Sequence, residues 1–311
     1  MADTLLDYAF TVNPVAPLPP ANAAYIKAVL AIVKPKAGVA KEIVVCNSKA
    51  QAQTLTANAD ILELFNAGMT SVRVLPVADL SDAEALIEPA MKDFYTILIS
   101  SDFESADLAD FARGEFKGVV GYSFSVVDST SKAFAVVDKQ CAFISSTANG
   151  AKNMFFAFGA LLSGTSWTNQ QYITMPYSDG IVELGEAKNL YNERYSFVLT
   201  SDEYGNRLAF FVAGKQAITA AYIIENLTLD SQSAAVSFIT TNKPDYTITN
   251  AKLLESAVEL ALNNKYIVTG LVESVSLTIS LINDNFRATG QIVVPIPKAL
   301  WGVDVDLIQG A

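Results

Sequence analysis

The sequence predicts a doubly wound α/β part with a mostly parallel sheet, followed by an α+β part with an antiparallel hairpin, and extended arms at both ends. Three observations support this prediction. Apolar, β-branched runs recur at intervals of roughly 23 to 30 residues up to about residue 175, which is the length of one strand plus one helix. After about residue 180 this rhythm is lost. Each terminus carries a short strand pattern next to prolines.

Residues 1–22 are predicted to form an N-terminal arm. A strand pattern is followed by closely spaced prolines, which exclude helix and favour an extended, semi-rigid spacer. The strand residues are Asp7, Tyr8, Ala9, Phe10, Thr11 and Val12, and the hinge residues are Pro14, Pro17, Pro19 and Pro20.

Residues 23–178 are predicted to form the α/β domain. Its strand runs are continuously apolar rather than alternating, which is typical of a parallel sheet covered on both faces. Two intervening segments have helix signals: residues 60–68 end on Gly68, and residues 81–93 open with acidic side chains near the positive end of a helix. The strand runs are EIVVC, SVRVLPV, FYTILIS, GVVGYSFSVV, CAFIS and QYITMP.

Residues 179–298 are predicted to form the α+β domain. Three runs, RYSFVLTS, NRLAFFVAG and AAVSFITT, have the pattern of antiparallel strands. Residues 250–264 have the period of an amphipathic helix, with Leu253, Leu254, Ala257, Val258 and Ala261 along one side. Two long β-rich runs then flank the polar turn 283–285, which predicts a hairpin. Pro295 and Pro297 close it and act as hinge residues, because proline cannot donate to a ladder.

Residues 299–311 are predicted to form a C-terminal arm. In its strand, Val303, Asp304, Val305, Asp306, Leu307 and Ile308, apolar and acidic residues alternate. The two aspartates would lie on one face of the strand, about 7 Å apart, which allows either a small metal-binding pair or the charged outer face of an edge strand. We favour the edge strand, because no further acid lies nearby in the sequence.

Composition narrows the function classes. The net charge is −11, which argues against binding of nucleic acid, since that binding depends on neutralising phosphates. The chain has no histidine, which excludes histidine-dependent nucleophilic catalysis and histidine-ligated metals. Hydrophobic residues make up 51% and charged residues 17%, which favours a folded protein with apolar area available for subunit interfaces.

Neither targeting nor redox signals stand out. The first ten residues lack a basic start and a long apolar core, and the most apolar stretches fall short of the roughly 20 residues that a bilayer span needs. We therefore expect a soluble protein without membrane insertion, made in a reducing cytoplasm. Cys46 and Cys141 are expected to be buried free thiols at opposite ends of the sheet, too far apart to bridge.

Enzyme chemistry has one candidate. Asp79, Asp102 and Asp128 follow predicted strands, and could form a magnesium-binding cleft at the carboxyl ends of a parallel sheet. The alternative is that serine, aspartate and asparagine in these loops cap the following helices, and every loop fits it. We favour caps. No complete nucleotide-binding glycine motif is present, and no cofactor is predicted.

The two arms share a design: a short strand that cannot fold alone and is offset from the body by prolines. Such a strand is stable only when it adds to a sheet with an open edge. If the sheet belongs to a neighbouring copy, head-to-tail contacts produce rings, helices or tubes.

On these features the chain resembles the contractile tail sheath proteins of phages and related injection machines. The resemblance includes the N-terminal arm, the region from NERYSFVLTSDEYGNRLAFFVAGK through helix 250–264 to the hairpin, and the closing strand VDVDLI. It implies a non-enzymatic subunit that forms stacked rings around a tail tube by strand exchange of both termini, and that contracts to drive the tube through the host envelope.

The resemblance also implies partners and a location. The partners would be copies of the chain, the tail tube protein, and the baseplate and tail terminator proteins, in a virion tail made in the host cytoplasm. Helix residues Lys252, Glu255, Glu259 and Lys265 would meet the tube, or else form an ordinary solvated face. The alternatives are another tail structural protein, of the tube or baseplate, and the magnesium-dependent enzyme.

Overall fold

The structure is a computed structural model. It describes residues 10–12, 29–87, 95–104, 107–108, 111, 118–125, 139–163, 173–179, 189–190, 192–201, 205–214, 216–244, 247–268, 272–282 and 287–293. Its strands are β1 (Phe10–Val12), β2 (Val29–Val33), β3 (Val44–Cys46), β4 (Val72–Pro76), β5 (Thr96–Ile99), β6 (Val119–Ser125), β7 (Gln140–Ser145), β8 (Phe197–Ser201), β9 (Gly205–Phe210), β10 (Val212–Ala213), β11 (Gln216–Ala217), β12 (Ser276–Ile282) and β13 (Arg287–Val293). Its α-helices are α1 (Lys49–Leu55), α2 (Leu62–Asn66), α3 (Leu80–Ile87), α4 (Gly150–Ser163), α5 (Ile218–Asn242) and α6 (Ile248–Leu262).

The largest sheet has six strands in the order β3-β4-β2-β5-β6-β7. Strands β4, β2, β5, β6 and β7 are parallel, so the predicted mostly parallel sheet is confirmed. Three details differ from the prediction. The run QYITMP, predicted as a further strand of this sheet, is described from residue 173 and makes there only an isolated antiparallel bridge between Thr174 and Arg207. Strand β2, which lies in the interior of the sheet, was not among the predicted strands. Strand β3 is antiparallel to β4, its neighbour at the edge of the sheet, and helices α1 and α2 lie between the two strands in the chain.

Alternate residues of the interior strand β2 belong to two hydrophobic layers. Val29, Ala31 and Val33 pack into a layer that includes Phe155 and Phe158 of α4. Leu30 and Ile32 pack into the opposite layer, with residues of α3. Both faces of the sheet are therefore covered, which explains the continuous apolar runs of its strands.

Two helix ends agree with the sequence signals. The hydroxyl of Ser48 accepts from the Gln51 amide at 3.3 Å and caps α1. After α2, Gly68 has φ +106°, a left-handed conformation that glycine adopts without steric penalty, and the Met69 amide donates to the Leu64 carbonyl at 3.1 Å. The predicted C-capping glycine is confirmed.

Strands β8 and β9 form the predicted antiparallel pair. They stay close to the six-stranded sheet, because the Ser196 amide donates to the Ala142 carbonyl of β7 at 2.8 Å. Side chains on both sides of residues 178/179, among them Met175 and Val198, share one hydrophobic layer. The domain boundaries 1–22, 23–178, 179–298 and 299–311 stay a prediction.

The predicted strand AAVSFITT was wrong, because residues 234–241 lie within the 25-residue helix α5. Ile223, Leu227, Ser231 and Ala235, spaced by four, are buried along this helix. The hydroxyl of Ser231 donates to the Leu227 carbonyl one turn earlier, which satisfies a polar group within the helix. A short β-branched run fits either structure, and here packing at helical spacing decides.

Helix α6 and strand β12 form a third packed layer together with one side of α5. The predicted helix is confirmed over Ile248–Leu262, and a π-helical turn, Asn263–Ile267, extends it. Its buried side differs in part from the prediction: Leu254 and Val258 are buried, whereas Leu253 and Ala261 are exposed. Strands β12 and β13 pair antiparallel from Ser276↔Val293 to Ile282↔Arg287, as predicted.

Candidate functional site

The first and last described strands of the chain meet in one sheet of order β1-β13-β12. Strand β1 lies parallel to β13, with Phe10 opposite Ala288, Thr11 opposite Thr289 and Val12 opposite Gly290. Without β1, the described part of this sheet would have only two strands. The N-terminal strand therefore completes a sheet whose other strands lie more than 260 positions later in the sequence.

Only part of the predicted arm sites falls within the described residues. Phe10, Thr11 and Val12 are placed on β13 of the same chain. The remaining arm and hinge residues lie outside the described residues: Asp7, Tyr8, Ala9, Pro14, Pro17, Pro19, Pro20, Pro295, Pro297, Val303, Asp304, Val305, Asp306, Leu307 and Ile308.

Helix α6 packs beside β12 and presents two carboxylates to the strand backbone. Glu259 Oε1 accepts from the Leu277 amide at 2.8 Å, and Glu255 Oε2 lies 3.5 Å from the Ile279 amide. The predicted tube-facing residues Glu255 and Glu259 thus have backbone partners within their own subunit, and both side chains are half-buried.

The other two predicted tube-facing residues are exposed. Lys265 donates to Asp230 of α5 at 2.5 Å, and the Tyr266 hydroxyl donates to the same carboxylate. Burial, followed by the hydrogen bond to Asp230, raises the pKa of Tyr266. Lys252 lies on the exposed side of α6 near Leu253, which is 53% exposed. Their contact with a tube stays a prediction.

A buried polar cluster lies where β7 ends. The Ser145 hydroxyl donates to Asp179 Oδ1, and the Val198 amide donates to Asp179 Oδ2 at 3.3 Å. Asp179 is fully buried, and this burial raises its pKa from 3.8 to about 6, although hydrogen bonds from Ser145, Asn153 and Val198 act in the opposite direction. The cluster ties β7 to the segment that leads into β8, which is a structural role.

The predicted acidic cleft is only partly formed by the described residues. Asp79 precedes α3 and lines a shallow cavity of about 360 Å³ with Glu84 and Asp107. Asp102 is not part of that lining; the Ser100 hydroxyl lies 3.4 Å from its carboxylate. Asp128 lies outside the described residues. Within the described ranges, no group of three or more histidine, cysteine, aspartate or glutamate side chains is arranged to hold a metal.

The two cysteines are free and buried, but the predicted reason for their separation was wrong. Because β3 is antiparallel, Cys46 lies opposite Val72 at the end of the sheet where the parallel strands begin, and Cys141 also lies near that end. Their separation comes from strand order. Strands β3 and β7 are the two edges of the six-stranded sheet, five strand spacings or roughly 24 Å apart.

Comparison with known proteins relates this arrangement to solved assemblies. The chain is similar to a chain of the anti-feeding prophage baseplate, with a TM-score of 0.72 and 11% identity over 98% of this chain and 96% of that one. It is also similar to a chain of the contracted helical sheath of the anti-feeding prophage, with a TM-score of 0.67 and 11% identity over 100% and 98%. No protein-family model and no curated protein matches the sequence.

Two sheath tail proteins give weaker likenesses. The protein from Desulfitobacterium hafniense has a TM-score of 0.56 and 11% identity over 88% of this chain and 97% of that one, and the protein from Listeria innocua has 0.57 and 10% over 89% and 96%. The chain therefore has the fold of contractile tail sheath proteins, which confirms the predicted resemblance at the level of fold. Among the described residues, no helix combines the length and apolar character of a membrane span.

Proposed function

We propose that this protein is a structural, non-enzymatic subunit of a contractile tail sheath, in a phage tail or a related injection particle. The observation that carries the proposal is the likeness to a chain of a contracted helical sheath over 100% of this chain. The subunits form stacked rings around a tail tube, and contraction drives the tube through the envelope of the host. Baseplate and terminator proteins lie at the two ends of the polymer. The particle is made in the host cytoplasm.

The assembly mechanism that we propose is strand exchange. Strand β1 of one copy takes the place beside β13 of a neighbouring copy, in the same register that it adopts on its own chain. Both arrangements contain the same ladder bonds, so their energies differ mainly through chain entropy and the reach of the connection. Residues 13–28 span at most about 50 to 60 Å when extended, which is long enough to reach an adjacent subunit.

Each exchanged strand contributes only a small free energy. Three residues supply a few ladder bonds, each worth about 1 kcal/mol net. In a polymer every subunit donates and accepts arms, so the contacts act together and the mesh is stable although each contact is weak. The prolines of both arms serve as hinges, and the arms keep the mesh connected while the subunit bodies move as rigid units during contraction.

Deleting the arms tests the proposal. The full chain is expected to form tubes or stacked rings in negative-stain electron microscopy. Variants that lack residues 1–12 or 302–311 are expected to sediment as monomers with an unchanged circular dichroism spectrum. Polymers of unchanged shape in both deletion variants, or a full chain that stays monomeric at high concentration, would contradict the proposal.

A further inference from the structure

We propose that Glu255 and Glu259 guard the free edge of β12, and that the strand 303–308 of a second copy adds to this edge only after displacing their carboxylates. The inference rests on the proposed function, which it extends by naming the acceptor edge and the residues that control it.

The guard depends on which backbone groups of β12 point outward. In an antiparallel pair, alternate residues direct their amides toward the partner strand and the others direct theirs away. Leu277 and Ile279 are two apart, and their amides face glutamate carboxylates of α6 rather than β13. Outward amides on an edge strand are a template for pairing with another chain. Here carboxylates occupy them.

The spacing of the two elements explains why two glutamates serve one edge. Residues four apart on a helix lie about 6 Å apart along its axis, and residues two apart on a strand lie about 6.8 Å apart. The spacing of Glu255 and Glu259 along the helix therefore matches the spacing of alternate amides along β12. The helix runs opposite to the strand, since the later glutamate meets the earlier strand residue. Glu259 is the stronger guard: its carboxylate lies 2.8 Å from the Leu277 amide, whereas a hydrogen bond from an amide is weak at the 3.5 Å that separates Glu255 from the Ile279 amide.

The remaining edge of the sheet identifies the occupant. Strand β1 covers the outer side of β13, so within the described residues β12 forms the other edge of this sheet. The strand predicted for the C-terminal arm has the pattern Val303-Asp304-Val305-Asp306, which gives one apolar face. That face matches the α6 side of the sheet, where Leu277 is buried and Ile279 packs against the third hydrophobic layer.

Amide exchange in the unassembled full chain tests the guard itself. Glu259→Ala is expected to speed hydrogen exchange in a peptide covering residues 272–282 by at least fivefold, because the Leu277 amide loses its acceptor. Glu259→Gln keeps an acceptor oxygen and is expected to retain most of the protection. Glu84→Ala, the same change at an exposed helical site remote in sequence, is the matched control. Equal exchange in Glu259→Ala and in the control would overturn the guard.

Peptide binding tests the occupant. A fluorescent peptide with the sequence of residues 301–311, added to the full chain, is expected to bind the Glu255→Ala/Glu259→Ala variant at least fivefold more tightly than the wild type or Glu84→Ala. Equal binding to all three, or binding to none, would overturn the inference. Hydrogen exchange and peptide binding can both be measured without polymers. A wild type that never polymerises therefore contradicts the proposed function but not this inference. A wild type that polymerises while the glutamate variants behave like the control contradicts only this inference.

Discussion

The hydroxyl of Ser145, the last residue of β7, donates to the buried carboxylate of Asp179. The same carboxylate accepts from the Val198 amide of β8 at 3.3 Å, so one acidic side chain joins the parallel sheet to the strands that follow it. The bond also crosses the predicted boundary between residues 178 and 179.

Asp179 makes stability depend on pH in an unusual direction. Burial raises the pKa of Asp179 from 3.8 to about 6. Between these values the folded protein binds more protons than the unfolded chain, so the contribution of Asp179 is present at acidic pH and is lost as pH rises through 6. The difference in unfolding free energy between wild type and Asp179→Asn is expected to fall by on the order of 3 kcal/mol from pH 4 to pH 7. Urea denaturation at these pH values measures it.

Ser145→Ala provides a second test of the same carboxylate. The Ser145 hydroxyl lowers the pKa of Asp179, so its removal is expected to extend the pH-dependent window upward. A stability difference that grows with pH for Asp179→Asn would mean that hydrogen bonds outweigh burial at this site.

The aromatic contact between Phe158 and Phe211 connects helix α4 to the residues that follow β9. Their rings meet edge to face, 4.9 Å apart, in the layer that covers one side of the main sheet. Phe158→Ala is expected to lower the unfolding free energy by about 3 to 5 kcal/mol, through lost burial and a cavity. The control Leu260→Ala, at a site 62% exposed, is expected to change it by less than about 0.5 kcal/mol. Equal thermal stability of the two variants would contradict the packing.

The two cysteines are expected to react slowly with thiol reagents in the folded protein. Both are buried, and burial raises the pKa of Cys141 to about 12, so its reactive thiolate is scarce at neutral pH. A thiol reagent is expected to react within minutes after denaturation and at least tenfold more slowly before it. Mild oxidation of the native protein should form no disulfide, so its mass should stay that of two free thiols, two hydrogens more than the disulfide form. A native Cys46–Cys141 bridge would contradict the strand order.

The sequence was most informative where burial leaves a simple pattern. Parallel strands covered on both faces are continuously apolar, so the main sheet was predictable. The hairpin β12–β13 was predictable because two β-rich runs lie on either side of a polar turn sequence. Strand direction leaves no such pattern, because apolar periodicity is the same in either direction; this is why the reversal of β3 was missed. Strand β2 was missed for a related reason, since a short apolar run fits helix and strand alike.

The candidate sites depended still more on tertiary contacts. Asp179 follows no recognisable motif, and its role appears only when β7 and β8 lie side by side. Glu255 and Glu259 were noticed as charges on a helix, but their spacing also matches alternate strand amides, a relationship that becomes visible once α6 lies along β12.

Disulfide trapping between different copies tests strand exchange most directly. Thr11 lies opposite Thr289, so Thr11→Cys and Thr289→Cys are placed on separate chains, which are mixed under assembly conditions and oxidised. Thr278→Cys on β12 replaces Thr289→Cys in the control mixture. We expect covalent dimers in the first mixture and none in the control. Strand exchange would be contradicted if the first mixture stays monomeric and a chain that carries both Thr11→Cys and Thr289→Cys forms only an intramolecular disulfide.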